Sequence, residues 1–125
     1  MTKVTDETLT ALRRIPYLTE VPAADLRALL AASVLRLVRR GQTVFEEGAP
    51  AGGIVIVLAG RVKLVRQSRG GREQILHAEG PGATLAEVPT FDGGGYVATA
   101  IAVDDARLLI VPRAALSSLA MNPSR

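Results

Sequence analysis

His77 is the only histidine in this 125-residue chain, and there is no cysteine. Those two counts decide most of the chemistry open to it. Without thiols, disulfides, thiolate zinc sites, iron–sulfur ligation and cysteine nucleophiles all drop out. One imidazole cannot build a multi-histidine metal centre for oxygen chemistry, and no second base accompanies it to complete a serine triad. A lone histidine on a strand reads as a surface or interface residue. Asp104 and Asp105 pair two carboxylates, but adjacent strand residues point to opposite faces, so a turn is the better reading than an acid–base device. Arg36, Arg39 and Arg40 form a basic cluster that reads as a solvated strand edge, where charge deters pairing with another strand. Fifteen Lys+Arg against twelve Asp+Glu leave a net charge of +3. That excess is mild, and the basic residues are not interleaved with aromatics as on a single-strand-binding platform. No catalytic residues are assigned and no metal is expected.

The elements that would position these groups are short. Val4, Leu9, Leu12 and Ile15 recur at helical spacing, which predicts a helix over Thr5–Arg14, stopped by Pro16. Pro22 suits a first helical position, so a second helix is predicted over Pro22–Ala31 with Leu26, Leu29 and Leu30 on its apolar face. From Ser33 the segments become β-branched and are punctuated by glycine. Strands are predicted over Val34–Val38, Thr43–Glu46, Ile54–Leu58, a segment from Val62 with Val62 and Leu64 on one face and Arg61 and Lys63 on the other, Glu73–Ala78, Val97–Val103 and Leu108–Val111. Ile54–Leu58 is apolar on both faces and should be fully buried. Ser68-Arg69-Gly70-Gly71 reads as a hairpin loop. Gly41, Gly48 and Gly60 read as structural turns. A helix is expected over Pro112–Met121, and Asn122-Pro123 looks like the start of another, so the chain reads as a piece of a longer protein. About eight short strands imply a mainly β fold, a double-stranded β-helix (a jelly-roll-like β-roll) with flanking short helices. Residues 1–32 supply the N-terminal helices, 33–111 the roll and 112–125 the start of a C-terminal helical region. The expected core includes Leu26, Leu29, Ile54, Ile56, Leu58, Val62, Leu64, Leu76, Leu85 and Ile110. There is no signal-peptide pattern and no apolar run of membrane-spanning length, which makes the cytoplasm the expected compartment.

Five pieces of sequence occur in a telling order. They are Arg40-Gly41-Gln42-Thr43-Val44-Phe45-Glu46-Glu47-Gly48, then Leu58-Ala59-Gly60-Arg61-Val62-Lys63-Leu64, then Gly71-Arg72-Glu73-Gln74-Ile75-Leu76 running into Gly80-Pro81-Gly82. Leu85-Ala86-Glu87 with Phe91-Asp92-Gly93-Gly94 is the fourth, and Ala98-Thr99-Ala100 with Leu109-Ile110-Val111-Pro112-Arg113 the last. In this order and spacing, from about Leu12 to Pro123, the chain resembles the cyclic-nucleotide-binding effector domain of the catabolite activator and fumarate–nitrate regulator family of bacterial transcription regulators.

The resemblance implies where an effector would bind. In such domains a short helix, expected here around Leu85–Thr90, and its preceding loop cradle the cyclic phosphate. A Gly-Glu pair opens the cassette, its Glu accepting a hydrogen bond from the ribose, and an Arg near the end pairs with the phosphate. Glu87 aligns with that Glu. Ala86 replaces the Gly, Tyr96 occupies the Arg position and Val97 replaces the following Ser or Thr. The candidate pocket residues are thus Leu76, Leu85, Ala86, Glu87, Tyr96 and Val97. Desolvating a phosphate without a partner costs on the order of several kcal/mol, and a neutral Tyr hydrogen bond is weaker than a charge-assisted one. Retaining Glu87 without the Arg places two negative groups in one cavity. High-affinity cyclic AMP binding in the usual pose is therefore not expected. Arg61, Lys63, Arg66 and Arg72 are candidate replacement cations. An unidentified small effector and an empty pocket with Glu87 capping a loop both stay open. Some members bind haem, which makes His77 a candidate ligand, although the surface reading is preferred.

Two functions compete. One is an effector-sensing module whose longer protein dimerises through a following helix and reads DNA through a helix-turn-helix that does not fit in these residues; this fragment alone should be monomeric or weakly associated. The other is a stand-alone protein-interaction domain that has lost ligand binding. A cupin-like metalloenzyme, a related β-roll class, is disfavoured by the single histidine, and no membrane partner is expected.

Overall fold

Glycine-punctuated, β-branched segments of two to seven residues cannot bury their apolar faces alone, and they do so here by stacking two sheets. A computed structural model describes residues 6–15, 18–86 and 93–120. The strands are β1 (Val34–Val38), β2 (Thr43–Phe45), β3 (Gly53–Ala59), β4 (Val62–Gln67), β5 (Glu73–Glu79), β6 (Thr84–Leu85), β7 (Thr99–Ala102) and β8 (Ala106–Pro112). The helices are α1 (Asp6–Arg13), α2 (Ala23–Ala31) and α3 (Arg113–Ala120). The first sheet has the order β1-β8-β3-β6 and the second β2-β7-β4-β5, with every pairing antiparallel. The expected mainly β roll with flanking helices is the fold observed.

β3 holds the architecture together because its apolar run has two destinations. Ile54 and Ile56 join Leu109 and Val111 under the helices, against Leu12, Ile15, Leu26, Leu30 and Leu116. Val55 and Val57 face the other way, packing between the sheets with Val38, Val44, Val62, Leu85, Ala100, Ala102 and Leu108. Period-two alternation thus splits one strand between two cores. Each fully buried Val, Leu or Ile contributes about 1.5–3 kcal/mol relative to exposure. Gly60 turns β3 into β4 with φ +81, and a Cβ there would meet the Asp105 main-chain oxygen and Ala106. Gly41 and Gly48, also at positive φ, are turn residues as expected. Ser68 and Arg72 close the β4–β5 hairpin, the Ser68 N–H donating to the Arg72 oxygen at 2.8 Å.

The structure corrects several boundaries. α2 begins at Ala23, with Pro22 outside it as the cap residue (φ −57, ψ 147). Pro112 ends β8 opposite Gly53, so α3 begins one residue later than expected. β7 is shorter than Val97–Val103, because Val97 and Ala98 form a bend before it and the Val103 N–H turns to the Arg61 oxygen. Leu85 is the last residue of β6, paired with Val55, so no helix begins there; the remainder of the helix expected to Thr90 lies outside the described residues after Ala86, as does Met121. Leu76 was expected in the core and is 41 % exposed. Leu64 lies opposite His77 and Val65 opposite Ile75, leaving Leu76 as an unopposed extra residue in the outermost strand of its sheet. Leu58, Leu64 and Ile110 are only half-buried, at the margins of the two cores.

Arg36 is less free than a solvated edge residue. Its Nη1 donates to the Val44 oxygen (2.9 Å) and its Nη2 to the Thr43 oxygen (3.2 Å), tying β1 of one sheet to β2 of the other. Asp104 and Asp105 lie in the bend between β7 and β8, where Asp105 Oδ1 accepts from the Arg40 N–H at 2.8 Å. That agrees with a turn role. Among the described residues no helix is long and apolar enough to cross a membrane.

Candidate functional site

The candidate pocket residues come from both sheets. Leu85 is buried in the core between them. Ala86 follows it at φ +66, the one non-glycine with positive φ among the described residues. The backbone here takes a glycine-type conformation at an alanine. An L-residue held there pays roughly 1–2 kcal/mol, and such strain persists only where the surroundings impose it. Glu87, the expected ribose partner, lies outside the described residues.

Tyr96 and Val97 stand just before β7. The Tyr96 N–H donates to the Ala49 oxygen and its own oxygen accepts from the Gly48 N–H, both at 2.9 Å. The ring stacks on Phe45, with centroids 4.0 Å apart and planes 13° from parallel. The Gly52 N–H donates to the phenol oxygen at 3.2 Å. Tyr96 is thus fastened by its main chain and hydroxyl to the loop between β2 and β3, and by its ring face to Phe45 at the end of β2. The position carries packing and a neutral hydroxyl, not a cation. Val97 is 63 % exposed, and Leu76 lies across the second sheet on β5, beside exposed Ile75.

Strand register decides which candidate cation reaches this region. Val62 opposes Ala102 and Leu64 opposes Ala100, and all four join the core between the sheets. Arg66, two residues further along β4, continues that same face. Its Nη2 donates to the Val97 oxygen at 2.8 Å, and its Nε lies 3.7 Å from Glu47 Oε2. Its side chain is 51 % exposed, so the guanidinium lies at the surface beside Val97. Lys63 takes the opposite face and pairs with Glu73 at 3.1 Å. The alternation that places Arg66 was visible in Val62 and Leu64; the Val97 oxygen at its far end was not.

The bulge at Leu76 also re-aims β5. Gln74 opposes Arg66, His77 opposes Leu64 and Glu79 opposes Val62, so these three polar residues share the face of the hairpin that carries Arg66. His77 Nε2 sits 3.0 Å from Glu79 Oε2, with its side chain half exposed. It is a surface residue, as expected, and paired with a carboxylate. Among the described residues no group of three or more His, Asp and Glu could hold a metal.

Residues 35–122 match the family model of the cyclic nucleotide-binding domain. The chain is 37 % identical over 79 residues to the CRP-like cAMP-activated global transcriptional regulator of Mycobacterium tuberculosis (strain ATCC 25618 / H37Rv), covering 63 % of this chain and 35 % of that protein. It therefore spans about a third of the length of such curated relatives. The sensor domain of the transcriptional regulator DNR from Pseudomonas aeruginosa matches with TM-score 0.83 at 32 % identity, over 94 % of this chain and 79 % of that one. The N-terminal domain of a transcriptional regulator from Streptomyces coelicolor A3(2) matches with TM-score 0.80 at 33 % identity, over 91 % and 80 %.

Proposed function

The chain belongs to the cyclic nucleotide-binding domain family, and on that premise we propose that it is the effector-sensing domain of a bacterial transcription regulator whose pocket departs from the cyclic AMP pattern at the phosphate. The family is a regulatory binding module and not an enzyme. In this reading a helix C-terminal to the roll dimerises the regulator in the cytoplasm and passes the effector state to a DNA-binding helix-turn-helix. The roll itself makes no contact with DNA or membrane.

One observation carries the departure. Tyr96 stands where the resemblance places the phosphate-pairing Arg, and its ring and hydroxyl are committed to Phe45 and Gly52. A phosphate entering beside it finds no charge-assisted fork at that position. The positive φ at Ala86 supports a pocket whose backbone is retained, against the alternative of an interaction domain with the site closed. Calorimetry with cyclic AMP tests the reading. A complex weaker than micromolar is expected, and a submicromolar one would overturn the claim that position 96 limits affinity.

A further inference from the structure

We propose that Arg66 is the cation of the effector site, holding the phosphate of a nucleotide beside the Val97 main chain. The proposal rests on the effector-sensing reading above and assigns the ligand class its charge partner. Three placements converge on it. Alternation along β4 puts Arg66, opposite Gln74, on the same face of the strand as Val62 and Leu64. Its Nη2 is fixed at 2.8 Å from the Val97 oxygen, so the guanidinium is delivered to the segment that the resemblance assigns to the phosphate. The neighbouring groups on the same face, Gln74 and His77, offer donors and acceptors to the rest of a ligand.

The geometry explains how a neutral Tyr96 is tolerated. A guanidinium presents several donors in a planar fork that matches phosphate oxygens two at a time. Holding Val97 with Nη2 orients the fork, and Glu47 lies toward its Nε. That carboxylate is 3.7 Å from Nε and both side chains are substantially exposed. Exposed pairs of this kind contribute little, so an arriving phosphate displaces Glu47 at small cost. With the cation at position 66, the anion sits over the β4–β5 hairpin, whose β5 is the outermost strand of its sheet.

The test compares cyclic AMP with adenosine, which lacks the phosphate, on wild type, Arg66→Gln and Glu47→Gln by calorimetry at low salt. Wild type is expected to prefer cyclic AMP by about tenfold or more, as a hydrogen-bonded charge pair implies. R66Q should reduce that preference to within about twofold while leaving adenosine affinity unchanged, which also reports an intact fold. E47Q should tighten cyclic AMP by about two- to fivefold and leave adenosine alone, because it removes the competing carboxylate. If both ligands weaken together in R66Q, Arg66 is a structural clip and the proposal fails. If the preference survives R66Q, another cation serves and the proposal fails while the effector-sensing reading stands. Absence of saturable binding of either ligand at millimolar concentration overturns both.

Discussion

β3 and β5 are both seven-residue strands with apolar residues at their centres, yet they lead opposite lives. β3 is the second-from-edge strand of its sheet and buries Gly53 to Val57 without a break. β5 is the outermost strand of the other sheet, and its residues from Glu73 to Ala78 are all exposed. One region spends its apolar side chains on stability. The other keeps Ile75, Leu76 and the polar face of Gln74 and His77 at the surface, beside the candidate site. Binding elements drawn from the loosely held end of a fold can change conformation without unfolding it.

The sharpest test of that contrast removes one side chain from each region. Ile56→Ala, in the middle of β3, should cost about 2–5 kcal/mol of unfolding free energy, while Leu76→Ala should stay within about 0.5 kcal/mol. Urea denaturation of the pair measures both. Comparable losses would mean that β5 is covered in solution and that the two regions are not different in kind.

The next effect lies at the boundary between the regions. Tyr96→Arg should strengthen cyclic AMP binding by about 1.5–3 kcal/mol if the new guanidinium reaches the phosphate. It should also destabilise the fold by about 0.5–1.5 kcal/mol, because the stack on Phe45 is lost. Calorimetry and thermal melting separate the two. A gain in stability, or no change in affinity, would show that Tyr96 does not stand in for a phosphate ligand.

Much of the stable region was legible from sequence because burial there follows local pattern. Val34–Val38 is a strand at its expected bounds, and the continuous apolar run of Ile54–Leu58 announced a strand buried on both faces. Leu76 misled because a bulge is a property of pairing: nothing within Glu73–Glu79 says that Leu64 will face His77 and not Leu76. Pro22 and Pro112 shifted two helix starts by one residue, since a proline is equally at home capping a helix, opening one or ending a strand. In the site, the resemblance offered Tyr96 where an Arg was expected, but the phenol's attachment to Gly52 and the reach of Arg66 to Val97 join residues more than thirty apart in sequence. Ala86 was read as standing where the family resemblance expects glycine; that its φ is positive is a fact of the backbone alone.

The smallest effect concerns that backbone. Ala86→Gly should raise stability by about 0.5–1 kcal/mol, the left-handed strain of alanine being relieved and partly offset by the greater freedom of glycine when unfolded. Chemical denaturation reads the difference. A loss instead would mean that Ala86 packs its methyl group usefully, and that the turn is held by side-chain contact more than by inherited backbone shape.

The double tenancy of β3 has a consequence for cooperativity. Ile54 and Ile56 serve the helices while Val55 and Val57 serve the roll, so the two cores share a single stretch of main chain. Lifting β3 away exposes both at once, and neither half keeps a partner when the other melts. The helices and the roll therefore open as one unit. The central β3 amides trade their protons for deuterium only when the whole domain comes apart, however freely the β4–β5 hairpin breathes beside them.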